Sequence, residues 1–331
     1  MKIQRWSKER ANGWYEGLPW LVGCNFIPST AINQLEMWQA DTFDPKTISR
    51  ELGWAADIGF NTARVYLHDL AWEADAGGFK ERMDQFLEIA AGHGIRPLFV
   101  IFDDCWNPDP KIGPQPEPIP SVHNSGWLTS PGLDIVNNPE SWGRLERYVG
   151  DVVSTFSQDE RMLMWDLYNE PGNNGNGNKS LPLVKKVFEW AKSANPRQPL
   201  TVGVWFDVKE LCDFQLAASD VVTFHNYWPA DNLVRQIAEL EQLGRPLICT
   251  EWMARTMGSL VETNLPIFYQ ENVGCINWGL VAGKTNTLWP WGTEKGSPKA
   301  DPWFHDLFRQ DGTPYREQEV ALFRKLTRLK D

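Results

Sequence analysis

The chain has 331 residues, 42% of them hydrophobic, and a net charge of −11. That length suits one large α/β core, while an acidic balance without clustered basic residues excludes a nucleic-acid footprint and disfavours acidic ligands. The 18 tryptophans are the compositional anomaly. Their flat indole faces suit neutral rings, sugars among them, although most tryptophans in any protein serve packing.

Five cysteines (Cys24, Cys105, Cys212, Cys249, Cys275) show no C-x-x-C spacing, and three lie in apolar runs, so they read as buried free thiols. The opening run MKIQRWSKERANGW has no apolar signal-peptide segment, and no stretch approaches a transmembrane length. A cytoplasmic protein without membrane contact is expected.

In chain order, a polar lead-in over 1–19 precedes the first buried strand, Trp20–Phe26, which ends near Asn25. Asp44-Pro45 supplies an N-cap and first-turn proline for a helix running to Gly59. Asn61–Leu67 is a strand with Arg64 inside it. An arginine among apolar neighbours needs a partner, either in a structural salt bridge or as an orienter of a functional carboxylate. His68-Asp69 follows that strand. Lys80–His93 is a helix, and Arg96–Phe102 a third strand ending at Asp103-Asp104. The irregular, proline-rich segment Cys105–Asn138, with Trp106 and Trp127, is long enough to be a wall or lid.

Glu140–Phe156 is helical, and Met162–Tyr168 is an apolar run suited to a strand buried on both faces. It stops at Asn169-Glu170-Pro171. Ser180, read as an N-cap, opens a helix to Ala194, and Leu200–Phe206 follows as a strand with Trp205 and Asp207 at its end. A weak helix leads to Val221–Tyr227, where His225 and Tyr227 share one face, followed by Trp228. Asn232–Leu243 is a helix and Pro246–Thr250 a strand, with Glu251 and Trp252 just beyond. Thr256–Asn272 is a helix interrupted near Pro266, and Gly274–Leu280 is the eighth strand, carrying Trp278. A second long segment, Val281–Asp301, holds Lys284, Trp289 and Trp291, and Glu317–Leu329 closes the chain as a helix.

Eight buried strands alternating with helices predict a parallel sheet. No GxGxxG follows the first strand, so a closed (β/α)8 TIM barrel is expected over a doubly wound sheet. No linker divides the chain, which predicts one domain over 1–331 with long loops after strands 3 and 8. In such a barrel the carboxyl ends of the strands form the functional face. Two carboxylates at two strand ends, Glu170 and Glu251, are what acid–base or nucleophilic sugar chemistry requires.

The chain resembles the retaining glycoside hydrolases of clan A, and most of all family 5, from Trp20 to the end of the eighth strand. The likeness rests on Arg64, on Asn169-Glu170-Pro171, on His225-x-Tyr227, on Glu251 and on Trp278, in that order and at strand ends. The resemblance implies Glu170 as general acid/base and Glu251 as nucleophile. It further implies that Arg64 and Tyr227 orient Glu251, that Asn169 bonds a 2-hydroxyl, that His225 supports Glu170, and that Trp278 floors the −1 sugar. The carboxyl groups should then lie roughly 5–5.5 Å apart, and Glu170 should have a raised pKa. Asn25, Asp103, Asp104, Trp106, Trp205, Trp228, Trp252, Lys284 and Trp289 are the candidate sugar contacts. No cofactor or metal is expected, and the partner is a neutral carbohydrate.

Family 5 usually carries a histidine after the third strand, where this chain has Asp103-Asp104, which points to its own −1 specificity. The two long loops slightly favour a closed pocket that removes terminal units. Gly279–Thr285 (GLVAGKT) imitates a phosphate loop but has three residues between its glycines where four are needed. Two rivals stand beside the hydrolase reading. One is a metal-dependent sugar isomerase using Asp103, Asp104, Glu170, His225 and Glu251; the other is a glycan-binding barrel without catalysis.

Overall fold

Eight short parallel strands close into a ring in the computed structural model, which describes residues 5–205 and 208–328. They are β1 (Val22–Asn25), β2 (Thr62–Tyr66), β3 (Arg96–Val100), β4 (Met164–Asp166), β5 (Leu200–Thr201), β6 (Val222–Asn226), β7 (Leu247–Trp252) and β8 (Gly274–Trp278). Their order is β5-β4-β3-β2-β1-β8-β7-β6. Between β5 and β6 the seam is a single bridge, Val204 to Phe224, with Val204 N donating to the Thr223 carbonyl at 2.9 Å. The fold is a nearly closed (β/α)8 barrel. Several strands are shorter than their apolar runs, β4 and β5 most of all. Predicted Phe206 and Asp207 at the end of β5, and Leu329 at the end of the last helix, lie outside the described residues.

Alternation along each strand divides the core. Ala63, Val65, Phe99, Trp165 and Leu167 face outward into the layer of helices, whereas Leu98, Met164, Ile248 and Ile276 fill the bottom of the barrel. The lead-in is not merely polar. Lys8–Glu16 is a helix whose N-cap Ser7 accepts from Arg10 N, and its Ala11 and Tyr15 plug the amino-terminal end of the barrel. Two buried positions in nine residues make too narrow a stripe for a periodicity argument. Asp44 caps Pro45–Asp57 as expected, its side chain accepting from Thr47 N at 3.1 Å. The predicted break at Pro266 falls earlier: Val261–Gln270 is one helix, and left-handed Gly258 (φ +84°) separates it from a preceding turn. Among the described residues no helix is long and apolar enough to cross a membrane.

At β7 the register against both neighbours slips, between Phe224 and His225 on one side and between Cys249 and Trp252 on the other. With Ile248 inside the barrel, strict alternation would turn Trp252 inward too. The bulge inverts the order, so Glu251 points into the barrel and Trp252 points out onto Phe268 and Phe323.

Candidate active site

Arg64 is wholly buried, and every nitrogen of its guanidinium faces an acceptor. Nε and Nη2 reach Asp166 Oδ2 at 2.9 and 2.7 Å, and Nη2 also reaches Asn169 Oδ1 at 2.7 Å. Nη1 donates to Glu251 Oε1 at 2.7 Å, to Asn25 Oδ1 at 2.9 Å and to the Tyr66 hydroxyl. This arginine therefore pairs with a buried aspartate and with a strand-end carboxylate at once. Tyr66 O–H donates to Glu251 Oε1 at 2.9 Å, and Tyr227 O–H to Oε2 at 2.7 Å. Three donors converge on the Glu251 carboxylate.

Glu170 stands across from it at the end of β4. Its backbone is left-handed (φ +42°), which for a glutamate costs on the order of 1–3 kcal/mol and is characteristic of functional turns. His225 Nδ1 lies 2.8 Å from Glu170 Oε1 and 3.5 Å from Glu251 Oε2. At Oε2, Glu170 accepts from Asn173 Nδ2 at 2.8 Å and from the Cys105 thiol at 3.2 Å. One oxygen of each carboxylate and a ring nitrogen of His225 all lie within 4.8 Å of one another. The two carboxylates thus face one another across a short gap, an approach that suits covalent sugar chemistry. The pair opens into a pocket of about 470 Å³ floored by Trp278 and rimmed by Trp106, Trp205, Trp228 and Trp291.

The model of the family described as cellulase (glycosyl hydrolase family 5) matches residues 36–289, most of the chain. The chain belongs to glycosyl hydrolase family 5. No curated protein matches it in sequence. A GH5_18 variant from Streptomyces cattleya, in complex with Manβ1-4GlcNAc, is similar in structure with a TM-score of 0.64 at 10% identity, over 94% of this chain and 81% of that one. The endo-β-1,4-mannanase of Thermotoga petrophila gives 0.61 at 14% identity over 95% and 78%. The exo-β-1,4-mannosidase of Opitutaceae bacterium strain TAV5 gives 0.64 at 16% identity, over 93% of this chain and 59% of that one. These likenesses establish the shared fold.

As a family 5 glycoside hydrolase, the protein assembles some predicted contacts and dismisses others. Glu170, Glu251, Asn169, His225, Tyr227, Trp278, Trp106, Trp205 and Trp228 all line the pocket. Asn25 lies beneath it, donating to the Thr250 carbonyl at 2.8 Å and accepting from Arg64. Asp103 is buried behind the wall, accepting from Trp127 Nε1 at 2.7 Å and Asn169 Nδ2 at 2.9 Å, so it positions those groups and does not face sugar. Asp104 turns away to accept from Tyr168, Ser180 and Gly172 N, which also takes Ser180 from its predicted capping role. Trp252 is excluded from the site by the β7 bulge. Lys284 pairs with Glu36 at 2.6 Å, outside the pocket, and Trp289 is replaced at the rim by Trp291.

Sequence reading missed Tyr66, Asp166, Cys105 and Asn173. Tyr66 was legible, being two residues from Arg64 on the same face; Asp166 was the one charge inside an apolar run. Nothing local marks Cys105.

The expected rise in the Glu170 pKa is reversed. Burial pushes its carboxyl up, but the His225 ring at Oε1, with the Cys105 and Asn173 donors at Oε2, holds it below the ordinary value. Burial dominates elsewhere, pushing Asp103 up to about 7, Asp104 up to about 6 and Asp306 up to about 7. These groups bind their protons more tightly folded than unfolded, where an aspartate titrates near ~3.9. Their stabilising contribution is thus complete below about pH 4 and lost as pH rises through about 6 to 7. Asp69 behaves oppositely: burial would raise it, but hydrogen bonds from His68 and Ser130 and the Arg144 charge hold it at about 2, so its contribution fails only in strong acid. Thermal melting should therefore peak in mild acid and fall toward about pH 8. In Asp306→Asn, which removes the carboxyl facing Thr287, the alkaline fall should flatten. A melting temperature rising steadily from about pH 5 to 8 would sink this expectation.

Proposed function

We propose that the protein hydrolyses neutral β-linked glycosides by double displacement, with Glu251 as nucleophile and Glu170 as acid/base. The reading is carried by the approach of these carboxylates and His225 to within 4.8 Å of one another. In the first half, Glu251 attacks the anomeric carbon, the bond to the leaving oxygen breaks, and Glu170 protonates that oxygen. In the second half, Glu170 takes a proton from water, whose oxygen displaces Glu251 from the anomeric carbon. Arg64, Tyr66 and Tyr227 hold Glu251 charged and aimed. The low-lying Glu170 carboxyl suits the base half, and the proton it takes from water there is the one it delivers to the leaving oxygen of the next turnover. Besides its bond to Asp103, Asn169 Nδ2 makes a second, weak donation to Cys105 Sγ at 3.4 Å, which a substrate hydroxyl would displace.

β-Mannosyl substrates are the first to try, because the similar structures are described as acting on or binding β-mannosides. The test is a panel of aryl β-glycosides (mannoside, glucoside, galactoside, xyloside, cellobioside) assayed with and without a chelator. Turnover of at least one, unchanged by the chelator, is expected. Glycan binding without turnover would favour a binding protein. Chelator-sensitive activity would favour the metal reading, since Glu170, His225 and Glu251 have ligand spacing; the Arg64 guanidinium 2.7 Å from Glu251 opposes a cation there.

A further inference from the structure

The loops after β3 and β8 are stitched together along one side of the pocket. Ser121 Oγ donates to the Ser297 carbonyl at 2.8 Å, and His123 Nδ1 to the Trp289 carbonyl at 2.7 Å. Asn124 N donates to the Thr285 carbonyl at 2.8 Å, Gly296 N to that of Pro120 at 3.1 Å, and Asn286 Nδ2 to that of Ile119 at 2.9 Å. At the foot of this wall Trp127 stands edge-on to Tyr66 and Trp278, with ring centroids 5.0 and 5.6 Å away. The wall closes the pocket on the side of the Trp278 floor. Toward β5 and β6 the rim is open, and Trp228 there is 53% exposed.

Asn124 belongs to the wall and lines the pocket. It is 1% exposed, yet neither its amide nitrogen nor its amide oxygen has a hydrogen-bond partner among the described residues. Its backbone is held left-handed (φ +48°) by the Thr285 bond and by Trp127 N donating to the Asn124 carbonyl at 3.1 Å. Asparagine tolerates that conformation better than most residues. A donor and an acceptor kept side by side and buried without a protein partner are costly unless a polar ligand pairs with them. Two neighbouring hydroxyls of a pyranose present the complementary acceptor and donor, and no charge in the ligand is called for.

We propose that Asn124 grips the non-reducing terminal sugar, donating to one hydroxyl and accepting from the next, so that the walled pocket releases one sugar at a time. This rests on the hydrolase reading above. Asn124→Gly keeps the left-handed backbone and deletes the carboxamide; Asn124→Asp keeps only the acceptor. The probes are mannotetraose and cellotetraose labelled at the reducing end, with melting temperature measured in parallel. The wild type should shorten the labelled chain stepwise, trisaccharide appearing first. Asn124→Gly should lose about 10- to 100-fold in kcat/KM with little change in melting, and Asn124→Asp should fall between. Labelled disaccharide appearing before trisaccharide, or Asn124→Gly matching the wild type, would overturn the proposal. Failure of the underlying hydrolase reading looks different. Wild type and variant would then both leave the probes intact, and neither would form a covalent adduct with 2-deoxy-2-fluoro-β-mannosyl or -glucosyl fluoride, removing the proposal with its foundation.

Discussion

Glu251→Ala is expected to lose hydrolysis by a factor of about 10⁴ or more, even on aryl glycosides with the best leaving groups. With Glu251 as the proposed nucleophile, deleting this carboxylate removes the atom that would bond to the anomeric carbon, and no leaving group compensates for that. Glu170→Ala should behave differently. General acid catalysis supplies typically about 10²–10⁴-fold, so the loss should be large on poor leaving groups and small on a dinitrophenyl glycoside that needs no proton. With Glu170 gone, water also attacks the glycosyl-enzyme unaided. Azide, which needs no base, should restore turnover in Glu170→Ala and yield a β-glycosyl azide, whereas in Glu251→Ala it should yield the α-azide from the opposite face. Product stereochemistry by NMR decides the assignment. A β-azide from Glu251→Ala, or equal losses on both leaving groups in Glu170→Ala, would exchange or remove the two roles.

Arg64→Met should be the most destabilising single change in the site. Arg64 is the cation between two buried carboxylates, 2.7 Å from Asp166 and 2.7 Å from Glu251. Removing one partner of a buried ion pair typically costs about 3–5 kcal/mol because the other charge is left uncompensated. Here two are left, so folding should weaken and Glu251 should lose the cation that holds it in place. Arg64→Met/Asp166→Asn separates the two consequences. Relieving the buried Asp166 charge should recover much of the melting temperature while kcat stays low, since Glu251 keeps Tyr66 and Tyr227 but still lacks its cationic donor. Recovery of kcat along with stability would show that Arg64 acts on the fold alone.

The physical origin of what was legible explains what was not. Apolar runs and the glycines joining helices to strands are local signals, and they carried the alternation from which a barrel follows. Because parallel strands all end on one face, the polar residues closing Met162–Tyr168 and Val221–Tyr227 had to converge there. Pairings across long chain separations had no such signal: Arg64 meets Asp166 over 102 residues and Glu251 over 187. Lys284 illustrates the limit, since its chain position beside the site says nothing of Glu36, which captures it.

Composition, strand periodicity and the residues at strand ends were thus enough to determine the barrel, its working face and the two carboxylates on it. The tertiary structure alone decided which side chains enter the pocket. A β-bulge in β7 exchanges the directions of Glu251 and Trp252, and backbone register is settled by pairing with β6 and β8, not by the residues themselves. In the same way, only the hydrogen bonds between two distant loops turn Asn124 toward the pocket wall and leave its carboxamide without a partner.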